Sequence, residues 1–154
     1  MKNFFSISLI SLFLFSCSSN DDAVKNLRES ENFLKTNLSN ADIVQIEPGL
    51  QYKVLNSKGN GLRPNLSDVI NADFHGTLID GSVFWSSIEN GEPLVIMLSQ
   101  LIPGCQKALS IMEVGETWRV FIHPDLAYGE EGRPGIPPNS LLIFDISLNS
   151  INSE

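Results

Sequence analysis

Positive charge, cysteine, histidine and long apolar runs are all scarce in this sequence, and each scarcity removes a class of function. The 154 residues hold ten Lys and Arg against eighteen Asp and Glu, a formal charge of −8. A chain this acidic lacks the clustered cations that displace counterions from a phosphate backbone, which excludes nucleic acid as partner. Two cysteines and two histidines stand scattered along the chain, which excludes a structural zinc site. His75 and His123 have no second ligand at metal-binding spacing and read as surface or hydrogen-bonded strand residues. There is no Gly-x-Ser-x-Gly elbow and no Gly-Lys-Ser/Thr phosphate loop. Pro64 stands where the third glycine of a dinucleotide motif begun at Gly59 would fall. Cys105 opens a helical stretch, where a thiolate is sometimes stabilised, but a lone cysteine more commonly serves as a small buried hydrophobe. No cofactor, metal or covalent chemistry is expected.

The longest apolar run, Phe4–Phe15, is twelve residues. A helix needs about 20 apolar residues to cross a bilayer, so the run is too short to span. One lysine, a short apolar run and then small residues make the layout of a secretory signal. Leu14-Phe15-Ser16-Cys17 resembles a bacterial lipobox, in which the cysteine is lipidated and becomes the first mature residue. Residues 1–16 are therefore expected to be a lipoprotein signal peptide, and Cys17 the lipidation site. Ser18–Asp22 reads as a solvated tether.

What is plentiful is punctuation. Eleven glycines and eight prolines, in a chain 42% hydrophobic and 18% charged, favour one turn-rich β domain. Val24, Leu27, Leu34 and Leu38 mark a short amphipathic helix over Ala23–Leu38, either packed on the domain or frayed from it. Residues 17–47 thus form a tether and short helix. Strands are expected at Ile43–Ile46, Leu50–Leu55, Ile70–Leu78, Leu94–Leu98, Thr117–Ile122 and Leu141–Ile151. Asp80-Gly81 suits a two-residue hairpin turn. A helix is expected over Pro103–Met112, with proline at its start. Tyr128–Ser140 is a Gly/Pro loop too long for a plain hairpin, and long structured loops usually carry function. The class is α+β, an antiparallel sheet with one short helix.

Four segments in order carry a resemblance: Gly76-Thr77-Leu78-Ile79-Asp80-Gly81-Ser82-Val83-Phe84, Leu101-Ile102-Pro103-Gly104, Leu126-Ala127-Tyr128-Gly129 and Gly135-Ile136-Pro137-Pro138-Asn139. Together with the last strand they resemble the FKBP family of macrolide-binding peptidyl-prolyl cis-trans isomerases, here a bacterial lipoprotein member. The resemblance implies a bent antiparallel sheet wrapped around one short α-helix, with a short N-terminal helix outside it and the isomerase domain over 48–154. It implies an apolar pocket with Phe74, Phe84, Trp85, Leu94, Leu101, Cys105, Ile136 and Phe144 binding substrate. By the same resemblance, the Ile102 N–H and the Tyr128 hydroxyl are catalytic and meet substrate carbonyls.

Several positions depart from the family's pattern. Its Phe-Asp-Ser-Ser is Phe84-Trp85-Ser86-Ser87, so the pocket aspartate is Trp85. The aspartate's tyrosine partner is Phe74, and Asn90 stands where arginine is common. The tryptophan that floors the pocket is Cys105. The implied function is proline isomerisation that helps exported proteins fold in the cell envelope. The alternative is a peptide-binding module or holdase with little turnover. Partners would be proline-containing polypeptides, macrolide inhibitors, and a membrane reached through the lipid, with the outer membrane favoured. Related envelope isomerases dimerise through a long helical arm. Only 30 residues separate Cys17 from Pro48, too few for that arm, so a monomer is expected.

Overall fold

The computed structural model describes residues 18–152; residues 1–16, expected to be a signal peptide, and Cys17, the expected lipidation site, lie outside the described residues. The chain runs α1 (Ser18–Asn37), β1 (Val44–Glu47), β2 (Leu50–Asn56), β3 (Val69–Thr77), β4 (Val83–Ser86), α2 (Ser87–Asn90), β5 (Leu94–Met97), α3 (Pro103–Leu109), β6 (Thr117–Ile122) and β7 (Leu142–Asn152). The seven strands form one antiparallel sheet in the order β1-β2-β6-β7-β3-β4, with β5 also paired to β3. This is the α+β arrangement expected.

Period-2 patterning decides which face is which. Ile70, Ala72 and Phe74 on β3 point to the same side as Leu142, Phe144, Ile146 and Leu148 on β7, and all are buried. Trp118, Val120 and Ile122 of β6 join them, and α3 lays Cys105, Ala108 and Leu109 onto that face. Pro103 sits in the first turn of α3, where a missing N–H leaves nothing unsatisfied. The helix stops at Leu109, short of the expected Met112. Ile111 and Met112 donate to Ala108 and Leu109 O, which tightens the turn, while Met112 stays fully buried.

The opposite face carries α1. Phe121, next to inward-facing Val120 and Ile122, points outward into a small cluster with Leu34 and Leu141. Phe33 meets Phe121 at 5.8 Å between ring centroids. Polar bonds complete the seam. Buried Ser30 Oγ donates to Asn139 O (3.0 Å) and accepts from Leu141 N (2.9 Å). Asn26 donates to Pro138 O, Asn139 to Ala23 O, and buried Gln51 to Leu34 O. The helix is packed, not frayed, and it begins at Ser18, so the stretch read as a tether is its first turn. Among the described residues, no helix is long and apolar enough to cross a membrane.

The β3–β4 connection also differs from expectation. Leu78 N donates to Ser82 O and Gly81 N to Leu78 O, enclosing three residues with Gly81 at φ +84°. That is the three-residue loop ending in a left-handed glycine, not a two-residue turn. Asp80 accepts from the Ser82 N–H and hydroxyl, bonds that hold its carboxyl below the usual range.

Candidate functional site

A cavity of about 420 Å³ opens between the start of α3, the strands β3, β4, β5 and β7, and the loop that follows Tyr128. Its walls include all ten residues proposed from the sequence: Phe74, Phe84, Trp85, Leu94, Leu101, Ile102, Cys105, Tyr128, Ile136 and Phe144. Gln100, Arg133 and Pro134 line it as well. Sequence reasoning missed these three, although the Gly/Pro loop that holds Arg133 and Pro134 had stood out.

The back wall is aromatic for a backbone reason. Gly76 pairs with Phe144 across β3 and β7. A Cβ at Gly76 would lie 2.6 Å from Phe84 Cζ and 2.8 Å from Phe144 Cε1. Only glycine lets these rings meet edge to face over the strand, at 5.3 Å between centroids. Phe74 meets Phe144 edge to face at 6.0 Å. Trp85, 36% exposed, leans on Phe74 at 6.1 Å and stands at the mouth, leaving the cavity open. Among the described residues, no lining side chain is a carboxylate.

The floor is Cys105, 2% exposed, whose thiol is pushed up to about 12 by desolvation. Such a thiol stays neutral and serves as a wall. Just after it, Gln106 Nε2 reaches back to donate to Leu101 O (2.6 Å) and Ser99 O (3.0 Å), fixing the turn that enters α3. Ile102 is the N-cap of α3, and its N–H has no acceptor among the described residues.

The roof is the loop from Tyr128 to Asn139. Arg133 and Ile136 exchange both backbone hydrogen bonds, at 2.9 and 2.8 Å. Pro134 and Gly135 (φ +85°) take the inner positions, the residues a type II turn requires. The turn drives Ile136, 4% exposed, down into the cavity. Asn139, in a left-handed conformation at φ +56°, closes the loop by donating its N–H to Gly129 O. Tyr128 Oη accepts from Arg133 Nη1 at 2.8 Å. A guanidinium only donates, so this contact leaves the tyrosine proton free to donate elsewhere.

The histidines stand apart from the cavity walls. His75 Nδ1 meets Ser86 Oγ at 3.1 Å, and His123 Nδ1 accepts from Asp125 N at 3.2 Å. Among the described residues, no cluster of His, Cys, Asp and Glu has metal-site geometry.

This geometry matches what comparison with known proteins finds. A family model described as FKBP-type peptidyl-prolyl cis-trans isomerase matches residues 60–149. The chain belongs to the FKBP-type isomerase family. A second family model, for the domain amino-terminal to FKBP-type isomerases, matches residues 16–54, which include α1. The outer membrane protein MIP of Legionella longbeachae is 43% identical over 137 residues, covering 88% of this chain and 58% of that protein. The crystal structure of FkpA from Escherichia coli superposes with a TM-score of 0.83 at 36% identity, over 87% of this chain and 62% of that one. A peptidyl-prolyl isomerase structure from Pseudomonas syringae gives 0.78 at 26% identity, over 90% of this chain and 100% of that one. The chain spans little more than half the length of several curated relatives, between 51% and 58% for three of them. The FKBP fold accounts for the antiparallel sheet, the helix α3 packed on its inner face and the roofed cavity.

Proposed function

We propose that the protein is a peptidyl-prolyl cis-trans isomerase that assists the folding of exported proteins in the bacterial cell envelope. The observation that carries this reading is the convergence of ten apolar and aromatic residues on one cavity that also holds two donors, Ile102 N–H and Tyr128 Oη. Rotation about an X–Pro bond faces a barrier of ~18–20 kcal/mol, because twisting removes amide resonance. The twisted amide needs no nucleophile. A dry pocket that holds the proline ring and donates to flanking carbonyls favours the twisted state over the planar one, which is catalysis by differential binding. Lowering the barrier by ~7 kcal/mol accelerates rotation roughly 10⁵-fold.

In this reading Tyr128 and Ile102 are catalytic, and Phe74, Phe84, Trp85, Leu94, Leu101, Cys105, Ile136 and Phe144 bind substrate or a macrolide inhibitor. The test is a proline-isomerisation assay on the purified protein, with several residues tried before the proline. Acceleration inhibited by a macrolide supports the reading, and absence of turnover on every peptide overturns it. A second reading is a binding module or holdase with little turnover. It is favoured by Trp85, half-exposed at the mouth where the family carries aspartate. If Trp85 obstructs substrate, Trp85→Asp raises turnover; if it grips proline, the same change lowers turnover and binding together.

The address belongs to the same proposal: residues 1–16 a signal peptide, Cys17 lipidated, 17–47 the connecting segment that carries the short helix, and 48–154 the isomerase domain. Leu14–Cys17 supports it, as does a relative named as an outer membrane protein. Fatty-acid labelling should mark the protein, and Cys17→Ser should abolish the label and free it from membranes. Retention without label overturns the anchor. The protein acts as a monomer on proline-containing clients; a tight dimer in sedimentation would contradict that.

A further inference from the structure

Among the described residues, Arg133 is the one charged side chain on the cavity wall. It stands at the tip of the roof, exposed, with its Nη1 on Tyr128 Oη at 2.8 Å and its guanidinium carbon 4.9 Å from the centre of the tyrosine ring. The ring and the hydrogen bond hold the guanidinium against the site while spending only part of its five-donor fork. Among the described residues, Arg133 has no carboxylate in salt-bridge range. Glu130 and Glu131 share the loop but do not line the cavity, and Trp85 supplies no charge from the opposite wall. The site therefore presents a cation, unopposed, on a chain whose net charge is −8.

We propose that Arg133 is a specificity-determining residue that selects polypeptide segments with a carboxylate side chain immediately flanking the proline. The inference rests on the proposed peptide-binding role of the cavity and adds the chemical class of the preferred segment. A flanking Asp or Glu would meet the remaining guanidinium donors at the rim, where two parallel N–H···O bonds suit a carboxylate. Lysine beside proline would meet repulsion instead. Because the pair is exposed, the discrimination is modest and salt-sensitive.

The test compares peptides that differ only in Glu, Gln or Lys beside the proline, in one set before it and in another after it. At low ionic strength the Glu peptide should exceed its Gln isostere in kcat/KM about two- to fivefold in at least one set, the size of an exposed ion pair. The Lys peptide should fall below both. High salt should shrink the ratio toward one. Arg133→Gln should abolish the ratio and Arg133→Lys should keep much of it, which a merely structural role for the side chain would not do. A Glu/Gln ratio of one in the unaltered protein, or one that survives Arg133→Gln, overturns the proposal. If no peptide is turned over, the isomerase reading fails by itself. The same peptides titrated against the intrinsic tryptophan fluorescence, to which Trp85 at the mouth contributes, then give the charge preference from binding alone, with the same deciding ratios.

Discussion

The two faces of the sheet are held to their helices by different physics. On the inner face, α3 presents Cys105, Ala108 and Leu109 to a continuous apolar core shared with Val120, Ile122 and Leu142. On the outer face, Leu34 is the one buried apolar side chain that α1 contributes among the described residues, and the join is completed by buried Ser30 with Asn26, Gln51 and Asn139. Apolar burial is non-directional and sets how strongly two elements adhere. Buried hydrogen bonds are directional, and their loss exposes an unpaired group, so they set where the elements sit. The outer seam grips Pro138, Asn139 and Leu141, where the cavity roof returns to the sheet. The inner helix builds the floor of the cavity, and the outer helix anchors its roof from behind.

That contrast is open to breakage, and the inner face should break hardest. Leu109 is fully buried, so Leu109→Ala should cost about 2–5 kcal/mol in denaturant unfolding, through lost burial and a cavity. A loss below 1 kcal/mol would mean the floor helix is less tightly packed than its burial implies. On the outer face, Ser30→Ala removes the acceptor of the Leu141 N–H and the donor to Asn139 O, and should cost about 1–3 kcal/mol. Amide exchange should quicken at Leu141 and spare β3. Uniform quickening would show that α1 stabilises the whole domain instead of one end of the roof.

The site itself gives a smaller effect. Tyr128→Phe keeps the ring and removes one neutral hydrogen bond, about 0.5–1.5 kcal/mol, so turnover should drop between about two- and twelvefold. Tyr128→Ala should cost more, through lost aromatic packing and admitted water. Equal losses for the two would shift the role from hydroxyl to ring.

The smallest effect at neutral pH concerns the floor. Burial raises the folded Cys105 thiol to about 12 from an ordinary 9.0. Above pH 9 the unfolded chain releases this proton while the folded chain keeps it. The stabilisation is therefore complete below pH 9 and is lost as pH climbs toward 12. Cys105→Ala should remove that share of the alkaline decline; parallel pH curves for the two proteins would contradict it.

Strand positions were legible because each strand has one buried and one wetter face. Ile70 to Leu78 and Leu142 to Leu148 alternate as a half-buried sheet demands, and the structure follows them within a residue or two. Site residues were legible from family motifs, since short ordered segments such as Leu126–Gly129 keep their spacing. Less was legible wherever a residue's partner is far along the chain. Ser30 and Leu141 are 111 positions apart, and nothing around either residue announces the other. Four-residue α2 and strand β4 are too short to show a period. Arg133 reads as an ordinary loop cation until the turn at Pro134-Gly135 folds it back onto Tyr128.

The sequence by itself determined the α+β class, the inward face of each long strand and the proline at the start of α3. These follow from periodicity and local backbone preference, which act over a few neighbouring residues. The tertiary structure alone decided that α1 is docked, that Trp85 stands at the mouth instead of filling the cavity, and that Arg133 caps Tyr128. Each depends on groups brought together across the chain, and their energies exist only once the sheet has closed around its helix.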